Sequence, residues 1–303
     1  MTARTLVTGG AGFIGSHLVE TLLETTEVVV LDALTTGSAE AVPDGATLRR
    51  GDIRDEGHLA ELVADVDTIY HQAGLVSVAE SVERPLESQS TNVAGTLAVL
   101  EAARASDTRV VAASSAAIYG QPESVPICES DPTRPTSPYG LEKLALDHYC
   151  RLYHDLYGLE TVSLRYFNVY GPGQPANDYS GVISIFIDRA LAGDPLEIYG
   201  DGEQTRDFVY VDDVVRANRR AAETNAVGRS FNVATGEQVS IRELAETIVG
   251  VTDSDSDIVH VEPRPGDIRH SVADVTEATD SLEFAAAVDL ETGLERTVEW
   301  ARS

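Results

Sequence analysis

At 303 residues, 43 % of them hydrophobic, the chain is long enough to fold around a full α/β core with a second, smaller lobe. Its 22 basic and 50 acidic residues leave a formal charge of −28, which repels nucleic acid and anionic membrane surfaces and excludes both as expected partners. No stretch approaches the roughly 20 apolar residues that span a bilayer, and the first residues lack the basic start and apolar run of a secretion signal, so a cytoplasmic protein is expected.

Thr5–Thr8 reads as a first strand, followed by a glycine-rich turn and a helix through about Glu24. Val28–Leu31 is a second, buried strand ending at Asp32, and Asp67–His71, Arg109–Ser115 and Thr161–Arg165 continue the series. Between them, Asn92–Ala105 and Pro138–Tyr157 read as helices. Pro138 suits a first turn, and Leu141, Leu144, Ala145, His148 and Leu152 share one face. The alternation predicts a Rossmann-type α/β fold, a doubly wound parallel sheet with helices on both faces. Past Tyr170, Gly171, Pro172 and Gly173 break the pattern, and helices are expected at Ser180–Leu191, Ile241–Val249 and near Leu290–Trp300. Residues 1–170 are therefore expected to form the dinucleotide-binding domain and 171–303 a smaller α/β lobe for substrate, with an interleaved boundary. Cys128 and Cys150 have no metal-ligand spacing, so free thiols and no metal are expected.

Gly9, Gly12 and Gly15 stand between the first strand and its helix. Such a turn needs glycine's conformational freedom, lets backbone approach a pyrophosphate, and aims free N–H groups and a helix dipole at it. Asp32, 17 residues on, can accept from both adenosine ribose hydroxyls and would repel a 2′-phosphate, which favours NAD over NADP. An aspartate that merely ends a strand is the competing reading.

Tyr139 and Lys143 lie one helical turn apart on one face. A nearby ammonium is expected to stabilise a phenolate, so that the tyrosine can take a hydroxyl proton as hydride leaves the same carbon. The spacing alone is modest support. The chemical selectivity says more: Lys143 is the only lysine, and every other basic residue is arginine. Arginine cannot replace a compact ammonium that must reach both ribose hydroxyls and tyrosine. Ser115 ends a strand, where open α/β sheets place ligands; on spacing alone it reads equally well as a strand-to-loop serine.

These pieces together resemble the extended short-chain dehydrogenase/reductase family, in particular its NAD-dependent sugar epimerase/dehydratase group. The matching segments are residues 8–15 (TGGAGFIG), 51–55 (GDIRD), 71–74 (HQAG), 114–120 (SSAAIYG), 137–143 (SPYGLEK), 164–172 (LRYFNVYGP), 200–214 (GDGEQTRDFVYVDDV) and 263–274 (PRPGDIRHSVAD). The resemblance implies that Ser115 and Tyr139 hold the sugar's 4-hydroxyl and that Lys143 bonds the nicotinamide ribose. It implies cofactor contacts from Phe13, Ile14, Thr36, Gly37, Asp52, Ile53, Ala73, Gly74, Asn92 and Phe167, with Asp52 and Ile53 at the adenine. Asn168, Val182, Tyr199, Arg206, Arg264 and Asp267 are implied for the nucleotide sugar, with the arginines on the diphosphate. Without it, Arg206 and Arg264 would read as surface ion pairs.

Dehydratases and decarboxylases of the group carry an acid after the active-site Ser or Thr, whereas Ala116 and Ala117 follow Ser115. The resemblance therefore implies 4-epimerisation of a UDP-sugar through a transient 4-keto intermediate. A serine at position 271, where a bulky residue narrows the sugar pocket, implies room for an N-acetyl group, so UDP-GlcNAc/UDP-GalNAc join UDP-glucose/UDP-galactose as expected substrates. A 4-keto-sugar reductase, a UDP-glucuronate epimerase, a dehydratase and a non-catalytic dinucleotide sensor are the alternatives. The family's habit of pairing two helices per subunit implies a homodimer, for which the apolar stripe of Pro138–Tyr157 and Asn92–Ala105 are candidates; ordinary core packing accounts for them equally. The acidic, lysine-poor composition resembles that of salt-in halophilic archaea, and a halophilic protein is expected.

Overall fold

The computed structural model describes residues 3–175, 181–264 and 266–303. The chain runs β1 (Arg4–Thr8), α1 (Phe13–Leu22), β2 (Glu27–Asp32), β3 (Thr47–Arg50), α2 (Glu56–Val63), β4 (Thr68–His71), α3 (Val78–Glu83), α4 (Pro85–Gln89), α5 (Gly95–Ser106), β5 (Arg109–Ser115), α6 (Pro138–Tyr157) and β6 (Thr161–Tyr166). Its second part adds β7 (Asn168–Tyr170), α7 (Val182–Ala192), β8 (Leu196–Tyr199), β9 (Thr205–Arg206), β10 (Phe208–Tyr210), α8 (Val211–Glu223), β11 (Arg229–Val233), β12 (Val239–Ser240), α9 (Ile241–Thr252), β13 (Ile258–Val261), β14 (His270–Ser271), α10 (Thr276–Leu282) and α11 (Leu290–Ala301). Ser180, the first residue of one expected helix, lies outside the described residues.

Seven strands form one parallel sheet in the order β11-β6-β5-β4-β1-β2-β3. Side chains alternate along each strand, so a sheet covered on both faces needs near-continuous apolar runs. In β2, Val28 and Val30 join α1 and α8 in one core, while Val29 and Leu31 join α2, α5 and α6 in the other. The strand order reverses between β1 and β4, and the crevice beyond their carboxyl ends is where such sheets receive a ligand.

The boundary near 170 is threaded in both directions. β11 adds the seventh strand to the large sheet, and α8 and α10 cover one of its faces. The smaller lobe is built on α7, α9 and α11, which enclose Ile183, Phe186, Leu196, Ile198, Leu244, Ile248 and Leu294.

Two expectations change. The α5 region does not begin as an α-helix at Asn92: Ser90–Ala94 is a π turn, and α-geometry starts at Gly95. The stripe on α6 is not a core stripe: Leu141 and Leu152 are exposed, as are Leu156 and Tyr157, while the buried face carries Tyr139, Glu142, Lys143, Leu146, Asp147, Cys150 and Tyr153. Apolar spacing on a helix shows that a stripe exists, not which side meets the sheet.

Candidate active site

The glycine-rich turn closes tightly against its surroundings. Gly9 has φ +72°, and a Cβ there would lie 2.6 Å from the Ala73 nitrogen; one on Gly15 would lie 2.1 Å from the Gly9 carbonyl oxygen. Gly12 differs, since the only atom near its added Cβ is the Gly9 oxygen at 3.3 Å. Gly12 also caps α1 without any side chain on the first N–H groups. The result is an open helix N-terminus, with Phe13 and Ile14 in its first turn, that suits a diphosphate.

Asp32, 9 % exposed, ends β2 beside this turn. Its Oδ2 accepts from the Ala11 N–H at 3.0 Å and its Oδ1 from the Leu34 N–H at 2.8 Å. Both oxygens keep lone pairs for ribose hydroxyls. Gly37 packs on the Ala11 backbone, and Thr36 beside it is exposed. The Asp52 segment follows Gly51, whose N–H donates to the Asp32 carbonyl. Arg54 engages Asp52 through Nε at 2.9 Å and holds its carboxyl below the usual range. Ile53 is buried against Gly95. Opposite, Ala73 and Gly74 leave β4; a Cβ on Gly74 would lie 2.9 Å from Asn92 Oδ1 and 3.6 Å from Lys143 Nζ. The turn, Asp32, the 36–37 loop, Gly74, Asn92 and Lys143 are thus brought together beyond the carboxyl ends of β1, β2 and β4, where such sheets receive a ligand.

Ser115, Tyr139 and Lys143 converge from β5 and α6. Ser115 caps a short 3₁₀ turn over Ala116–Ile118, its Oγ accepting from the Ala117 N–H at 3.2 Å. Tyr139 is nine-tenths buried, with its N–H on Ser81 Oγ at 3.1 Å. Lys143 Nζ donates to the Ala113 carbonyl at 2.7 Å and lies 5.9 Å from the Tyr139 ring centre. Burial pushes Lys143 down to about 8, against the pull of the Glu142 and Asp147 carboxylates. Burial raises Tyr139 above its ordinary value; the Ser115 hydrogen bond lowers it and Glu142 raises it further. Burial is thus the largest influence on the phenol; the expected lowering draws on both the Lys143 ammonium and the positive charge of an oxidised nicotinamide.

Phe167 is buried beside Tyr119, and Asn168 Nδ2 donates to the Asp207 carbonyl at 2.9 Å. A cleft of about 1070 Å³ in the smaller lobe is lined by Tyr199, Arg264 and Asp267 among others. The Arg264 guanidinium sits 3.8 Å above the Tyr199 ring centre. Arg206 pairs with Asp267 at 2.5 Å and also donates to the Ile268 carbonyl at 2.6 Å. Val182 opens α7, and Ser271 stands in register with Arg206. Val182, Tyr199, Arg206, Arg264, Asp267 and Ser271 belong to the smaller lobe, whereas Phe167 packs beside Ile118 and Tyr119, just past Ser115.

Sequence reasoning missed α3 and α4, which wrap the start of α6 through Ser81 and Ser88. The signal was present: Ser77 and Glu80 have the spacing of a helix start, and Ser77 Oγ does accept from the Glu80 N–H. It also missed a buried chain from Asp147 through Arg165 and Tyr119 to Asn232, and His71, held between Thr8 and Thr96.

A strand-turn-helix dinucleotide cleft with serine, tyrosine and lysine at its rim defines a short-chain dehydrogenase/reductase-type protein. Residues 5–234 match the NAD dependent epimerase/dehydratase family, and the chain belongs to it. Relatives extend the likeness over the whole length. The UDP-glucose 4-epimerase of Mycolicibacterium smegmatis is 41 % identical over 311 residues, covering 99 % of each chain. The crystal structure of Thermotoga maritima UDP-glucose 4-epimerase with UDP-glucose superposes with TM-score 0.96 at 39 % identity, covering 99 % of this chain and 98 % of that one. UDP-N-acetylglucosamine 4-epimerase from Methanobrevibacter ruminantium, in complex with UDP-N-acetylmuramic acid, gives TM-score 0.96 at 38 % identity, covering 100 % and 99 %.

Proposed function

We propose that the protein is an NAD-dependent UDP-sugar 4-epimerase. The observation that carries this reading is the joint placement of Ser115, Tyr139 and Lys143 at the mouth of the dinucleotide cleft, with only Ala116 and Ala117 after the serine. Ser115 and Tyr139 hold the sugar's O4, and Tyr139 takes its proton. Lys143 and Asn92 line the nicotinamide end, and Asp32 the adenosine ribose. When bound, NAD supplies the hydride acceptor and donor for C4 and a positive ring that favours the phenolate. The 4-keto sugar turns its other face, so that C4 would take its hydride back on the opposite side as Tyr139 returns the proton to O4. Alanines after Ser115 leave the site without the acid that elimination towards C6 requires.

The similarity to both a UDP-glucose and a UDP-N-acetylglucosamine 4-epimerase supports, with Ser271, a sugar site that admits an N-acetyl group. Arg264 and Arg206 grip the diphosphate, guanidinium forks matching phosphate oxygens. Incubation with UDP-glucose, UDP-galactose and UDP-N-acetylhexosamines and no added reductant tests the assignment: C4 epimers of both classes are expected, and conversion of the hexoses alone removes the N-acetyl reading.

The exposed Leu141, Leu152 and Leu156 of α6 and Leu86 of α4 support a homodimer through this face, which sedimentation at molar KCl tests. The charge of −28 and single lysine support a halophilic cytoplasmic protein; unfolding in molar KCl, with full activity in dilute buffer, would refute it. No helix among the described residues is long and apolar enough to cross a membrane.

A further inference from the structure

The catalytic helix carries two buried carboxylates next to its one buried lysine. Asp147 is committed, since its Oδ2 receives Arg165 Nε at 2.7 Å. Glu142, 4 % exposed, has no such arginine among the described residues. Its Oε2 accepts from Ser88 Oγ at 2.6 Å and from Asn92 Nδ2 at 2.7 Å. Ser88 and Asn92 thus converge on one oxygen of Glu142. Asn92 passes the constraint on. Its Oδ1 accepts from the Leu75 N–H at 2.8 Å and its Nδ2 donates to the Leu75 carbonyl at 2.9 Å, so both backbone groups of Leu75 are clamped. Asn92 lies in the π turn, a widened turn of the kind found at functional sites.

We propose that Glu142 is a positioning residue of the reaction: its carboxylate is the counter-charge of the Lys143 ammonium, and through Asn92 it ties the helix bearing Tyr139 and Lys143 to the Gly74–Leu75 segment of the cofactor cleft. The reaction named here rests on the epimerase reading; the charge balance does not.

Of the other charged groups around α6, Glu83 of α3 and His148, Arg151 and Asp155 of α6 itself are exposed. Arg165 of β6 is paired with Asp147. His71 of β4, held neutral by burial, is lowered to about 3. Cys150 on α6 itself is pushed up by burial to about 12, so it stays a thiol. Glu80, Arg84 and Glu87 of α3 and α4 pair with one another, as do Glu101 and Arg104 of α5, and Arg109 of β5 pairs with Glu160. Glu142 is the largest influence opposing burial at Lys143, and it also raises Tyr139. Removing its charge therefore moves both groups to lower pH.

The single lysine makes this directly measurable. Lysine labelled with ¹⁵N gives one Nζ resonance, belonging to Lys143. Its titration in the wild type is expected to have a midpoint of about 8. In Glu142→Gln, which keeps an acceptor for Ser88 and Asn92, the midpoint falls by about one unit, as loss of a close opposite charge requires. In Glu142→Ser it falls in the same direction, and NAD retention weakens several-fold because Asn92 loses its anchor. The pH profile of kcat moves to lower pH as a whole in both variants, which a merely structural role would not produce. An Nζ midpoint unchanged in either folded variant overturns the proposal, whatever the sugar activity; a wild type inactive on every UDP-sugar overturns the reaction instead.

Discussion

The ammonium of Lys143 donates to the backbone carbonyl of Ala113 at 2.7 Å. Ala113 precedes Ser115 by two residues on β5, so this bond fixes the catalytic helix against the strand that ends in the serine. Two segments of the chain, β5 with Ser115 and α6 with Tyr139 and Lys143, are thereby held as one unit. Lys143 keeps two further N–H donors, which contact with the hydroxyls of a nicotinamide ribose would use.

Replacing Tyr139 by Phe removes the proton acceptor and little else, because the Ser81 bond is made by the backbone N–H of residue 139. Epimerisation should fall by about 10²–10⁴-fold, the usual contribution of a positioned base. Bound NAD, measured after denaturing the protein, should be unchanged.

Two glycines should separate folding from cofactor binding. An alanine at Gly15 would place Cβ 2.1 Å from the Gly9 carbonyl oxygen, so Gly15→Ala should lower Tm and lose NAD together. At Gly12 the nearest atom is 3.3 Å away, so Gly12→Ala should nearly keep its Tm yet bind NAD at least about tenfold more weakly, the methyl group occupying the diphosphate's approach. Equal NAD affinity in Gly12→Ala would place the diphosphate elsewhere.

Arg264 stacks on Tyr199 at the wall of the smaller lobe's cleft. Arg264→Ala should raise KM for the UDP-sugar by about 10–100-fold, the worth of a charge-assisted contact to phosphate. The turnover number should change far less, since the proposed contact is to the diphosphate and not to the reacting C4. A loss confined to kcat would remove Arg264 from substrate binding.

His71 is wholly buried between Thr8 Oγ1 at 2.8 Å and Thr96 Oγ1 at 3.0 Å, and burial, helped by Lys143, lowers it from 6.5 to about 3. The unfolded chain then binds a proton between pH 6.5 and 3 that the folded one refuses. Stability linked to His71 is complete above 6.5 and is lost as pH falls towards 3. Tm measured across that window should fall, and a folded His71→Gln variant should show a shallower fall.

The sheet and the cofactor turn were legible because their constraints are local. Buried strands such as Val28–Leu31 must be apolar on both faces, and Gly9 and Gly15 admit no side chain. Register across the chain was not local. Nothing near Phe231 announces that β11 will pair with β6 and close the large sheet. The α6 stripe was visible, but its direction was set by Lys143 reaching Ala113 and Asp147 reaching Arg165, partners invisible to helical periodicity. The short α3 and α4 bury too little apolar surface for a clear period, and only the Ser77–Glu80 spacing marks them. Glu142 was read as part of a motif, because its partners Ser88 and Asn92 lie more than 40 residues away.

The proposed reaction is reversible oxidation at C4 by one cofactor that returns the hydride it removes. Its most direct test is UDP-galactose deuterated at C4, incubated with the protein and NAD without reductant, the product being read by NMR. UDP-glucose that retains deuterium at C4 is expected, formed over many turnovers. Product with protium at C4, or none in a protein that holds NAD, would contradict it.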